Sequence, residues 1–215
     1  MQITVSSADV ALVPAPDDQI RVTLTGRRSG AQPEVAVDGE VLRIRVVHRR
    51  NFGFFRGSLS LSVALPARAY AALQAAVPNG DLSASQLQIA DIRVRQGNGG
   101  TRLESVRADR IDLETANGNL ELRHVAGALA ARTRNGSITV TTGALDHPLD
   151  LETVNGSVRL QAGAAPTDAT LDLRTANGSI TVFGTRRAGS WHQVLGSGDP
   201  LIKLTTRNGN IVITD

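Results

Sequence analysis

Apolar residues recur at four fixed offsets around seven Asn-Gly pairs, and that pattern organises the chain. The pairs are Asn79-Gly80, Asn98-Gly99, Asn117-Gly118, Asn135-Gly136, Asn155-Gly156, Asn177-Gly178 and Asn208-Gly209. Six residues before each Asn stand Leu73, Ile92, Ile111, Leu129, Leu149, Leu171 and Ile202. Four before it stand Ala75, Val94, Leu113, Ala131, Leu151, Leu173 and Leu204. Three after it come Leu82, Leu120, Ile138, Val158, Ile180 and Ile211, with Thr101 the exception. Five after it come Ala84, Leu103, Leu122, Val140, Leu160, Val182 and Ile213. Alternation of period two on both sides predicts strand, corner, strand. Asn and Gly adopt positive φ most cheaply, so the pair is expected to make the bend.

Successive pairs are 19, 19, 18, 20, 22 and 31 residues apart. An isolated Asn-Gly would suit a hairpin, but an antiparallel meander has no reason to keep a period near twenty. The period predicts coils stacked in parallel, the last step being stretched by an insertion. Stacking would set equivalent residues about 4.8 Å apart, so outward charges should alternate. Three residues before each Asn, the column runs Ala76, Arg95, Glu114, Arg132, Glu152, Arg174, Thr205, with five members alternating in sign. Arg93/Asp112, Asp172/Lys203 and Arg102/Glu121 are further expected pairs.

The fold expected is therefore all-β: a single-chain parallel β-helix, a solenoid of about seven coils and right-handed hand, with an N-terminal β-strand cap. Residues 1–66 lack the repeat and read as short strands at Ile3–Val5, Val10–Val13, Gln19–Thr25, Glu34–Val37, Val41–Val47 and Ser58–Leu65. They are assigned to the cap, because a solenoid needs its open edge covered. Residues 67–215 form the solenoid, interrupted by an inserted loop at 183–201. Tyr70–Val77 falls on the strand columns despite a helix-like, alanine-rich composition. No cap is evident after the last coil, whose Ile211–Ile213 is expected to offer an open end for self-association.

Aromatic residues make up only 3% of the 215 and cysteine is absent, which suits a narrow lumen of Leu, Ile, Val and Ala and excludes disulfides and thiolate chemistry. The net charge of +3 is mild and gives no specific nucleic-acid signal. No signal peptide is visible at Met1-Gln2-Ile3-Thr4-Val5, and no apolar run approaches the ~20 residues of a membrane span. As it stands the sequence is expected to be cytoplasmic.

Candidate chemistry is sparse. Asp112, Glu114, Asp150, Glu152 and Asp172 invite a glycosidase reading, which needs two carboxylates about 5–9.5 Å apart. Each, however, has a basic residue expected one coil away, and no aromatic platform for sugar rings accompanies them. His48, His124, His147 and His192 are scattered without ligand spacing. No catalytic residue, metal or cofactor is expected. The asparagine row could hold a ligand or ion, but stacked turn residues bonding their own backbone are the simpler reading. Two stretches suit an anionic surface, either membrane or acidic polymer: Arg49, Arg50, Phe52, Phe54, Phe55 and Arg56 in one, Arg186, Arg187 and Trp191 in the other. Each has a structural alternative, the first as a plug for the solenoid end and the second as a cover for the last coils.

The tandem Thr-x-Asn-Gly-[Ser/Asn]-[Ile/Leu/Val] units, following a strand-rich segment that ends in Leu65-Pro66, resemble the DUF4097 family of bacterial β-strand-repeat proteins, also labelled "putative adhesin". The resemblance covers roughly residues 35–215 and is strongest at 110–182. It implies a β-helix in a bacterial envelope or stress-associated setting, without enzyme activity and without catalytic residues to carry over. The function expected is a non-enzymatic scaffold or binding module, with a protein partner as one further possibility. A polysaccharide-acting enzyme and a self-assembling structural protein are the alternatives.

Overall fold

The computed structural model describes residues 1–26, 32–46 and 59–215. Among them are twenty strands and no helix: β1 (Gln2–Val5), β2 (Asp9–Pro14), β3 (Arg21–Gly26), β4 (Pro33–Asp38), β5 (Val41–Val46), β6 (Leu59–Leu65), β7 (Ala69–Asn79), β8 (Leu82–Ser85), β9 (Gln88–Asn98), β10 (Thr101–Glu104), β11 (Arg107–Asn117), β12 (Leu120–Arg123), β13 (Ala126–Asn135), β14 (Ile138–Thr141), β15 (Leu149–Asn155), β16 (Val158–Gln161), β17 (Ala169–Val182), β18 (Thr185–Leu195), β19 (Leu201–Asn208) and β20 (Ile211–Thr214).

From β7 to β16 a long strand, an Asn-Gly corner and a four-residue strand repeat, and each strand pairs in parallel with its equivalent one coil on. Register is kept at the corner itself: Asn98 lies opposite Asn79 and Asn117, and Asn135 opposite Asn155. The apolar columns read from the sequence line a shared interior, where Ile92, Leu113, Leu122, Leu151 and Ile180 are fully buried.

Chain order and stacking order part at both ends. The final coil, β19 and β20, does not lie outermost. It is inserted between the coil of β15 and β16 and the strand β17, so that Leu204 sits between Leu151 and Leu173, and Ile211 between Val158 and Ile180. The open C-terminal end expected at Ile211–Ile213 is thus covered on both sides. The physical reason is that β17 and β19 carry the same motif and fit the same surface of β15. Their sequence alone does not rank them.

The inserted loop expected at 183–201 is also corrected. It contains β18, which folds back antiparallel on β17 and closes that end of the stack. Residues 185–190 of β18 are all exposed, so no alternation of apolar and polar side chains announced a strand.

At the other end β1 lies in parallel between β5 and β7, and β2 between β6 and β8. Ile3 faces Ile44 on one side and Ala75 on the other. These four strands of the expected cap therefore extend the stack itself. Among the described residues of this segment, only β3, on β6, and β4, on β5, run antiparallel as end covers.

Candidate binding surfaces

The corner row is the most regular feature of the surface. Six of the seven asparagine amides donate to the adjacent asparagine: Asn98 to Asn79, Asn117 to Asn98, Asn135 to Asn117, Asn155 to Asn135, Asn208 to Asn155 and Asn177 to Asn208, all at 2.7–2.8 Å. The expectation that these side chains bond their own backbone is corrected to a ladder between coils. None of the seven asparagines has positive φ. Glycine is required there by proximity: a Cβ on Gly99, Gly118, Gly136, Gly156 or Gly209 would lie 1.9–2.1 Å from the neighbouring corner's carbonyl oxygen.

Behind the corner, a buried threonine hydroxyl bonds the same carbonyl row. Thr115 donates to the carbonyl of Gly99, Thr133 to Gly118, Thr153 to Gly136, Thr206 to Gly156 and Thr175 to Gly209, at 2.8–3.2 Å. In the earlier coil Gln96 takes this place, bonding Gly80 and accepting from Thr101. Thr101, the polar exception in an apolar column, is thereby explained. Inside this row each amide gives one N–H to one neighbour and its oxygen accepts one from the other.

The acidic columns are neutralised. Arg95 reaches Asp112 at 3.2 Å and Glu114 at 3.1 Å; Arg132 reaches Asp150 at 2.6 Å and Glu152 at 3.6 Å. Asp172 is held by Arg174 at 3.1 Å, and Lys203 approaches Asp150 at 3.8 Å. Hydrogen bonding to Asp112, ahead of the attraction of the two carboxylates, holds the Arg95 guanidinium above its ordinary pKa although burial opposes this. The Arg102–Glu121 pair forms as expected, at 2.6 Å. Three expectations change: Arg93 pairs with Asp91 rather than Asp112; Lys203, though opposite Asp172, turns to Asp150 while Asp172 is taken by Arg174 on its own strand; and Thr205 separates Glu152 from Arg174 because the last coil intervenes.

Of the two candidate stretches, Arg49, Arg50, Phe52, Phe54, Phe55 and Arg56 lie outside the described residues. In the other, Trp191 is buried, stands opposite Leu173 and donates its indole N–H to Gln193 at 3.0 Å. The Arg187 guanidinium lies 4.5 Å from its ring centroid, a cation–π contact. Trp191 thus covers the end of the core, while Arg186 and Arg187 are exposed on the outermost strand.

One surface was not anticipated. Gln86, Ser105 and His124, each seven residues after a corner asparagine, have φ of 54°, 55° and 51° and make the second bend of their coils. Beside this column runs an open groove of about 470 Å³, with Arg68, Gln88 and Arg107 also in its walls. The Arg68 guanidinium sits 5.4 Å from the Tyr70 ring centroid. The equal offset of the three bend residues was the available sequence signal. It is weak because Gln, Ser and His share no turn chemistry.

A family model described as Toastrack DUF4097 matches residues 1–120 and 57–214. No curated protein matches the sequence. Among solved structures, a "putative adhesin" from Bacteroides fragilis is 14% identical, with a TM-score of 0.51 over 100% of this chain and 91% of its own. A "putative cell adhesion protein" from Clostridium sporogenes is 9% identical, with a TM-score of 0.42 over 99% of this chain and 91% of its own.

Proposed function

The chain belongs to the Toastrack DUF4097 family, and we propose that it serves as a non-enzymatic binding module built on a right-handed parallel β-helix. The carrying observation is the ion pairing of Asp112, Glu114, Asp150, Glu152 and Asp172. Glycoside hydrolysis needs one carboxyl group kept protonated and another free to attack or to activate water. Each of these five carboxylates is instead engaged by an arginine. The right-handed hand follows the strong preference of parallel strand connections for that sense.

The ligand class we propose is an anionic polymer, held along the groove beside Arg68, Arg107 and His124. An elongated solenoid offers such a polymer a straight track, and two guanidinium groups supply point contacts of the right sign. A cell-envelope setting fits the adhesion names of the two structural neighbours and belongs to the same proposal.

The experiment is a binding titration of an acidic polysaccharide at low and moderate salt, with the Arg68→Gln/Arg107→Gln protein alongside. The expected result is salt-sensitive binding that the double substitution weakens at least several-fold while the chain end-groups of the polymer do not increase. Equal binding by the variant would remove the groove, and new reducing ends would remove the non-enzymatic reading. Anionic vesicles serve as the comparison arm, where preference for the vesicle would replace polymer with membrane.

A further inference from the structure

Seven Asn-Gly pairs are seven sites at which a chain can modify itself. In this dipeptide the backbone nitrogen of glycine attacks the Asn side-chain carbonyl carbon, unhindered by a Cβ. An N–C bond forms, the bond to Nδ2 breaks, and ammonia leaves with the glycine amide proton. Water then opens the cyclic imide to aspartate or isoaspartate. No co-reactant beyond water is needed.

The fold places six of the seven pairs in one environment and the last in another. The attacking N–H of Gly80, Gly99, Gly118, Gly136, Gly156 and Gly209 donates to the corner carbonyl of the neighbouring coil at 2.8–3.0 Å. In the same six pairs the side-chain oxygen accepts an amide from the next asparagine. Both reacting groups are therefore held, and reaction must first break these bonds.

Asn177-Gly178 ends the row. Its amide donates to Asn208 at 2.7 Å, but among the described residues no further asparagine donates to its oxygen. On its outer side β18 runs past without pairing to it, the register on β17 jumping from Arg174/Ser190 to Ser179/Ala188. Gly178 is exposed, whereas the other six corner glycines are half-buried.

From this contrast we infer that Asn177 is the chain's site of spontaneous deamidation and that the ladder protects the other six. The product weakens its own surroundings. An aspartate at 177 has no amide to give Asn208, and isoaspartate lengthens the backbone by one atom just before Ser179–Val182 pair with β18 and β20. The end of the stack is thus built with a slow, irreversible change of charge and register.

Trypsin supplies a built-in comparison. Cleavage after Arg174 and Arg186 isolates Asn177, and cleavage after Arg207 isolates Asn208-Gly209. Folded protein held in mildly alkaline buffer at body temperature is digested at intervals, and amide-to-acid conversion is read by mass spectrometry. Conversion at Asn177 is expected to exceed that at Asn208 by roughly tenfold or more, equivalent to about 1.4 kcal/mol of protection. In denaturant the two rates are expected to converge. Equal rates in the folded protein overturn the inference, as does a ratio that survives denaturation. Absence of conversion at Asn177 over a period in which the denatured chain reacts fully also overturns it.

Discussion

Asn208 donates its side-chain amide to Asn155 at 2.7 Å across 53 residues of sequence, and receives that of Asn177, 31 residues before it. The corner row is therefore continuous in space where it is out of order in the chain. Its regularity, and the insertion of the last coil that it records, lead to specific expectations.

Asn135→Asp is expected to destabilise the fold by about 1–2 kcal/mol, because a carboxylate cannot donate to Asn117 and sets two acceptors against each other. Asn79→Asp is expected to cost less. At that end of the row Asn79 need only accept from Asn98, which a carboxylate does as well. Urea unfolding midpoints of the two variants distinguish a ladder from a set of independent turns: equal shifts would argue for the latter.

Gly136→Ala is expected to prevent folding or to cost several kcal/mol. The added Cβ would stand 2.0 Å from the carbonyl oxygen of Gly118, which neighbouring coils hold in place. Gly143→Ala meets nothing within 4 Å and is expected to be neutral or to stabilise by up to about 1 kcal/mol through the unfolded chain. Soluble yield and thermal midpoint of the pair test whether close approach is what demands glycine.

Thr153→Val keeps the shape of a side chain that is 1% exposed and removes its hydrogen bond to Gly136. The carbonyl left without its hydroxyl makes this near-isosteric change cost about 1–3 kcal/mol. A thermal midpoint unchanged by the substitution would show that threonine stands there for packing alone.

Asp168 accepts from the backbone N–H of Ser197 at 2.9 Å and from the Thr167 hydroxyl at 3.2 Å, tying the start of β17 to the turn before β19. These bonds, that to the Ser197 backbone foremost, hold its carboxyl below the usual aspartate range. A depressed carboxyl contributes stability that is present above its unfolded pKa and is lost as pH falls through the folded one. Asp168→Asn should therefore lower stability at neutral pH and flatten its fall in acid. Parallel acid-side curves for both proteins would contradict this.

Much of this was legible beforehand. Where apolar and polar residues alternate, strands were readable, so even the alanine-rich stretch now in β7 reads correctly from Leu73, Ala75 and Val77, whereas β18, without alternation, was missed. Arg102 and Glu121 were placed together from column arithmetic alone. The same arithmetic misassigned Arg93, because a long side chain can turn to Asp91 on its own strand as easily as to the next coil. Trp191 looked like a binding residue from composition. The alternative read beside it, a cover for the last coils, matches its buried place opposite Leu173 on the antiparallel return of β18.

The repeat by itself determined that coils form, where they bend and which side chains point inward, since these follow from period-two alternation and from small corner residues, all encoded within one coil. Which coil lies on which was decided by the tertiary structure. The surface of β15 accepts either Leu173-Arg-Thr-Ala-Asn-Gly or Leu204-Thr-Thr-Arg-Asn-Gly, and the local pattern is the same for both. The choice rests on what covers the end: β17 carries β18 as an antiparallel partner, with Trp191 over the core, so stacking β19 inside leaves no bare coil facing water.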